Sequence, residues 1–130
     1  MVELSATYSD PSLIAIVDDD EDVAAALFSL VDSMGLAGRT FSSADEFIPH
    51  LDMPFELVIS DVQMPGTSGL ELARLLRERR MPVILITAFP SADVERQARE
   101  EGVRCFMRKP FDPSELIDCI ERVLSERARP

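Results

Sequence analysis

An open parallel β-sheet covered by helices on both faces is what this chain predicts, and three observations carry the expectation. Apolar runs at 13–17, 57–59, 82–86 and, less purely, 103–107 are short, rich in Val, Ile and Leu, and bounded by turn or cap residues, as strands buried on both faces are. Between them lie segments with a single apolar stripe at helical spacing. At 130 residues, 46% hydrophobic and 28% charged, the chain has the size and composition of one globular domain around its own core. Strands and helices alternating at these lengths imply right-handed βαβ crossovers, and five β/α units are expected.

The run Leu13–Val17 is the first strand, and Val23, Leu27, Leu30, Val31 and Met34 form the stripe of the first helix. A weaker strand covers Leu36 to Phe41, and a short helix follows through Phe47 and Ile48. Leu72, Ala73, Leu75 and Leu76 give the next helix its stripe; Leu116, Ile117, Ile120, Val123 and Leu124 give the last one its own. Capping-box spacing marks three helix starts: Ser43 with Glu46, Ser68 with Glu71, and Asp112 with Glu115, the last followed by Pro113 at the favoured first position. The helix at 92–101 differs, offering only Ala92, Val94 and Ala98 to the core among charged neighbours. Sparse anchoring makes it either a cheaply displaced output element or a solvated edge helix.

A net charge of −11 opposes nonspecific attraction to nucleic acid or to an anionic membrane, so no direct nucleic-acid binding and no membrane association are expected. The apolar runs are too short to span a bilayer, and residues 1–11 read as a loose polar leader without a secretory signal, which places the protein in the cytoplasm. The domain is expected over 12–125, with 126–130 as a tail or the start of a linker. Cys105 and Cys119 have neither CxxC spacing nor histidine neighbours, and are expected to be buried thiols; His50 reads as a boundary residue. Twelve of the thirteen cationic side chains are Arg, and the single lysine is Lys109.

The chemistry lies where strands end. Asp18, Asp19 and Asp20 follow the first run, while Asp61, Thr87 and Lys109 close or follow the others. In an open parallel sheet the ligand crevice lies outside the carboxyl ends of the strands, so groups placed one per strand end converge there. Asp18 and Asp19 taken alone read better as helix-capping acids favoured by the helix dipole. Asp61 alters that balance, because converging carboxylates repel: two unit charges at ~4 Å cost roughly 4 kcal/mol at an intermediate dielectric. Such a cluster wants a cation, and an all-oxygen donor set suits Mg²⁺. A carboxylate beside that metal can attack phosphorus, with a hydroxyl and an ammonium stabilising the phosphoryl oxygens.

Four blocks carry a resemblance: Ile16-Val17-Asp18-Asp19, Asp61-Val62-Gln63-Met64-Pro65-Gly66, Ile86-Thr87-Ala88 and Lys109-Pro110-Phe111. In this order and spacing, over about residues 13 to 125, the chain resembles the receiver domain of two-component response regulators. The resemblance implies a flavodoxin-like (CheY-like) three-layer α/β sandwich, with a five-stranded parallel sheet of order 2-1-3-4-5 and five helices. It implies that Asp61 accepts phosphate from a sensor histidine kinase or a phosphotransfer protein. Asp19, Asp61 and the Gln63 carbonyl would ligate Mg²⁺, with Asp18 acting through a metal-bound water. Thr87 would bond the phosphoryl group, Lys109 would pair with it, and Phe106 would be the aromatic switch. The Lys109-Pro110 bond is expected to be cis. Such a domain is not an enzyme with an external substrate; it catalyses only its own phosphorylation and dephosphorylation. Its output is an attached domain or a protein target, and similar receivers often dimerise when phosphorylated, here through the 92–101 helix, Arg104, Phe106, Arg108 and Arg122.

Phe89-Pro90 is less typical, stiffening the loop after Thr87 and placing an aromatic ring near the site. That loop most resembles receivers of the FixJ type, which commonly precede a helix-turn-helix effector. An aspartyl-nucleophile phosphatase needs a second acid two residues beyond Asp61, where Gln63 stands. A flavodoxin would need a Ser-, Thr- and Gly-rich phosphate loop in place of acids that repel FMN. A receiver-like module that no longer uses phosphate also stays open, as does the choice between a stand-alone receiver and part of a DNA-binding regulator.

Overall fold

The computed structural model describes residues 11–127, so the leader expected over 1–11 and the end of the tail lie almost wholly outside the described residues. Five strands, β1 (Leu13–Val17), β2 (Ala37–Phe41), β3 (Phe55–Asp61), β4 (Val83–Thr87) and β5 (Cys105–Arg108), alternate with five helices. These are α1 (Glu21–Ser33), α2 (Ala44–Phe47, continued by a 3-10 turn at Ile48–His50), α3 (Gly69–Glu78), α4 (Ala92–Glu100) and α5 (Pro113–Arg127). The sheet is parallel throughout with the order β2-β1-β3-β4-β5, as expected.

Alternation along the strands builds two cores. Ile14, Ile16, Leu57, Ile59, Ile84 and Ile86 face one way, against Leu27 and Val31 of α1 and Leu116, Ile120 and Val123 of α5. Ala15, Val17, Val58 and Leu85 face the other way, with Phe47 of α2, Leu72 and Leu76 of α3, and Ala98 of α4. Because each inner strand is covered twice, β4 reads as an unbroken apolar run that is buried from end to end. His50 is half-buried and stacks on Phe41, with ring centroids 5.3 Å apart.

Of the three expected capping boxes only Ser68–Glu71 is reciprocal. Ser43 accepts from the Glu46 amide, but the Glu46 carboxylate turns to Ser42; Asp112 accepts from the amides of Ser114 and Glu115 without a reciprocal bond. In α4, Ala92 is exposed, Val94 half-buried and only Ala98 buried, so its anchoring is sparser than the sequence suggests. Arg96 joins Asp93 and Glu100 on its outer side, exposed pairs worth little.

The two cysteines correct the expectation of free thiols: Cys105 of β5 and Cys119 of α5 are joined in a disulfide, with Cα atoms 6.8 Å apart. Their separation of 14 residues gives no hint of this. The βα crossover lays α5 back over β5, and both side chains fall on the same side of the sheet.

Helix α3 starts hard against the end of β3. The Gly69 amide donates to the Val62 carbonyl at 2.8 Å, and a Cβ on Gly69 would collide with the Asp61 carbonyl and lie 2.9 Å from Val62 Cα. Gly69→Ala should therefore destabilise the fold by about 2–3 kcal/mol, through backbone overpacking rather than helix propensity. Urea denaturation beside Gly35→Ala, at a position with open space but a left-handed backbone, separates the two causes. A Gly69→Ala variant no less stable than wild type would contradict the close approach.

Candidate functional site

Register delivers the polar groups to one edge. Val17 pairs with Phe41 and Ser60, Asp61 with Ile86, and Thr87 with Arg108. Asp18 stands one residue past β1, Asp61 and Thr87 close their strands, and Lys109 stands one residue past β5, its amide donating to the Thr87 carbonyl at 2.7 Å. Asp20, not Asp18 or Asp19, caps α1 by accepting from the amides of Asp22 and Val23. Its two neighbours are thereby free of the capping role. The Lys109-Pro110 bond is cis, as expected.

Carboxylate oxygens of Asp18, Asp19 and Asp61 lie within 4.8 Å of one another. Asp18 and Asp61 are buried and Asp19 is exposed. Lys109 Nζ sits 3.0 Å from Asp18 Oδ2 and 3.4 Å from Asp61 Oδ2. The other oxygen of Asp18 accepts from the Asp20 amide at 2.9 Å, and Oδ2 is the one paired with the Lys109 ammonium. Among the described residues one ammonium thus serves two of three clustered carboxylates and leaves their charge undercompensated, so the all-oxygen cluster can hold a metal ion.

Burial above all, and then the Asp18 charge, push the Asp61 carboxyl up from 3.8 to about 6, against the opposing pull of Lys109. Burial works to lower the Lys109 pKa, but its contacts with Asp18 and Asp61 prevail and raise it. An open cavity of about 370 Å³ lies over the cluster, lined by Asp19, Asp20, Asp61, Gln63, Phe89 and Lys109 among others. Phe89 is 71% exposed and borders the cavity without closing it.

Thr87 is fully buried and does not line that cavity; its hydroxyl donates to Gln63 Oε1 at 2.7 Å and accepts from the Phe89 amide at 3.0 Å. The Gln63 side chain was not foreseen in this contact; what the resemblance placed at the metal was its backbone carbonyl. Nor was Asp45, which accepts from the Thr67 hydroxyl at 2.7 Å and ties the loop after β3 to α2. Capping spacing explains Ser43 and Ser68 but carries no signal for a contact across 22 residues. Phe106 is half-buried against the core opposite the disulfide, and its backbone pairs with Leu85.

Such a sheet, with acids at the ends of the first and third strands and a lysine beyond the fifth, is the architecture of a phosphorylation-controlled signalling domain. The chain belongs to the response regulator receiver domain family, whose model matches residues 14–121. It is 33% identical to the transcriptional regulatory protein TdiR of Thauera aromatica, over 88% of this chain and 52% of that one. It is 38% identical to the response regulator protein TodT of Pseudomonas putida, over 87% of this chain and 51% of that one. The chain thus spans about half the length of these relatives. A CheY-like receiver domain protein of Methanospirillum hungatei has the same fold, with a TM-score of 0.84 at 24% identity, covering 90% of this chain and 96% of that one. The family is one of signalling domains rather than of metabolic enzymes. Among the described residues no helix is long and apolar enough to cross a membrane.

Because the folded carboxyl of Asp61 titrates at about 6 against 3.8 for an ordinary aspartate, the folded state holds its proton more tightly than the unfolded chain. That contribution to stability is complete below about 4 and is lost as the pH rises through about 6. Each tenfold difference in proton affinity between the two states is worth about 1.4 kcal/mol, and with a discount for solvent screening at an open cavity Asp61→Asn should gain on wild type by on the order of 2 kcal/mol across that window in EDTA. Thermal melts of both proteins between these pH limits check the sign. A difference that is flat with pH would remove the raised pKa.

Proposed function

We propose that Asp61 is the phosphoacceptor of this receiver domain and that Mg²⁺ is its cofactor. The observation that carries the reading is the cluster of three carboxylates, two of them paired to the same ammonium, at the carboxyl edge of the sheet. Asp19, Asp61 and the Gln63 carbonyl would hold the metal, with Asp18 reaching it through water. When bound, the metal supplies positive charge that lets the carboxylates coexist and neutralises phosphoryl oxygens. An oxygen of the Asp61 carboxylate attacks phosphorus, and the bond from phosphorus to the donor's imidazole nitrogen breaks. Lys109 lies close enough to exchange its carboxylate contacts for a phosphoryl oxygen. The donor is a sensor histidine kinase or a phosphotransfer protein, as suits a domain of this family in the cytoplasm.

Thr87 is engaged with Gln63 and must break that bond before its hydroxyl can meet the phosphoryl group. The Thr87–Gln63 bond is a latch on the resting state. Its release draws Thr87 toward Asp61, and Phe106 and the weakly anchored α4 follow. The face made by α4, β5 and α5, with Arg104, Phe106, Arg108 and Arg122, transmits the change to an output domain or protein target, including through dimerisation. TdiR and TodT are regulators about twice the length of this match, which supports a transcriptional output beyond a domain of this kind.

Acetyl phosphate with Mg²⁺ should add one acid-labile phosphoryl group, seen by intact-mass spectrometry and absent in Asp61→Asn. An undiminished adduct in that variant would remove Asp61 from the role, and one undiminished in EDTA would remove the metal. Gln63→Ala should bind beryllofluoride roughly 2- to 10-fold more tightly, as expected for loss of one competing neutral hydrogen bond. Calorimetric titration reads this directly, and unchanged affinity would mean that the bond is no latch.

A further inference from the structure

The disulfide lies on the surface proposed for output, apart from the acidic cavity. Arg122, one helical turn past Cys119, places Nη2 3.2 Å from Cys105 Sγ and 3.7 Å from Cys119 Sγ. Cys119 is 2% exposed, but Cys105 is half-buried, and a depression of about 360 Å³ lined by both cysteines, Phe106, Glu115, Asp118 and Arg122 gives small solutes a way in. A cysteine inert in a core has no such opening and no cation against it. A guanidinium touching both sulfurs favours the thiolate of whichever is reduced, while Glu115 and Asp118 in the same depression temper it.

We propose that Cys105 and Cys119 form a reversible dithiol–disulfide centre, activated by Arg122, that exchanges with low-molecular-weight disulfides and fixes how α5 is held on β5. Cys105, the more accessible, gives its proton to solvent and attacks the small disulfide. One sulfur–sulfur bond breaks, the first small thiolate leaves and takes up a proton, and a mixed disulfide remains on Cys105. Cys119 then loses its proton and attacks the Cys105 sulfur, closing the bridge and releasing the second small thiol. Two protein thiols are oxidised while one small disulfide becomes two thiols. In a reducing compartment a bridge of this kind is a sensor rather than a permanent staple. The bridge clamps α5 to β5 and keeps the Arg122 guanidinium on the sulfurs. Reduction frees both. The exchange chemistry stands by itself; its effect on output rests on the receiver reading above.

The test equilibrates the full chain in glutathione buffers from fully reduced to fully oxidised, quenches with acid, and counts alkylated thiols by intact mass. Two alkyl groups should be lost together in one transition. Cys119→Ser should trap glutathione on Cys105, and Cys105→Ser, run beside it because Cys119 sits in the core, should take up little. Arg122→Gln should slow alkylation of reduced Cys105 by roughly 3- to 10-fold at neutral pH. Two alkylatable thiols at every glutathione ratio, or no trapped glutathione in Cys119→Ser, would overturn the centre; an unslowed Arg122→Gln would remove the arginine from it. Amide spectra with beryllofluoride, recorded oxidised and reduced, should differ at 105–127, and identical spectra would overturn the link to output. Failure of beryllofluoride to bind in either state would count against the phosphoacceptor reading, and the thiol counts would still decide the centre.

Discussion

Negative charge crowded at one edge of the sheet is the constraint around which the rest is arranged. Three carboxylates within 4.8 Å of one another would repel strongly, and a single ammonium holds two of them. That ammonium comes from beyond β5, two strands away from the Asp61 strand, so the arrangement requires the β3, β4 and β5 pairings to be in register. Capping of α1 falls to Asp20, which leaves the Asp18 and Asp19 carboxylates to gather with Asp61. The residual misfit, three carboxylates against one ammonium, is what an incoming cation can relieve.

Much of this was legible in the residues because it depends on periodicity. Unbroken apolar runs such as Val83–Ile86 mark strands covered on both sides, and a polar group at each strand end marks the shared edge. Contacts between side chains distant in sequence were not legible. The Thr87–Gln63 bond joins a strand end to a loop and the Asp45–Thr67 bond joins a helix to a loop, and neither leaves a pattern within one element. The disulfide escaped for the same reason, since spacing rules describe cysteines that share a motif, whereas these meet through a crossover. Ala92 was misjudged because an alanine at a helix start satisfies the stripe whether or not the core reaches it; the core begins to cover α4 only at Val94.

Strand β5 presents its side chains to two faces by simple alternation. Cys105 points to the face covered by α5, and Phe106 to the face with α4. A signal from the acidic edge would arrive on one side of the strand through Thr87 and Phe106, while a change at the sulfurs would arrive on the other. Both would converge on the four residues Cys105–Arg108.

That same strand lies at the border of the sheet, hydrogen-bonded among the described residues to β4 and to no other strand. A free border normally invites another chain to extend the sheet through its main-chain groups. Here the invitation is poor: the segment is brief, Arg104 and Arg108 stand exposed around it, and the proline after Lys109 can offer no amide. A companion that docks on this side must therefore recognise side chains, charge by charge and ring by ring, and so can tell one state of the face from another in a way that backbone pairing alone could not.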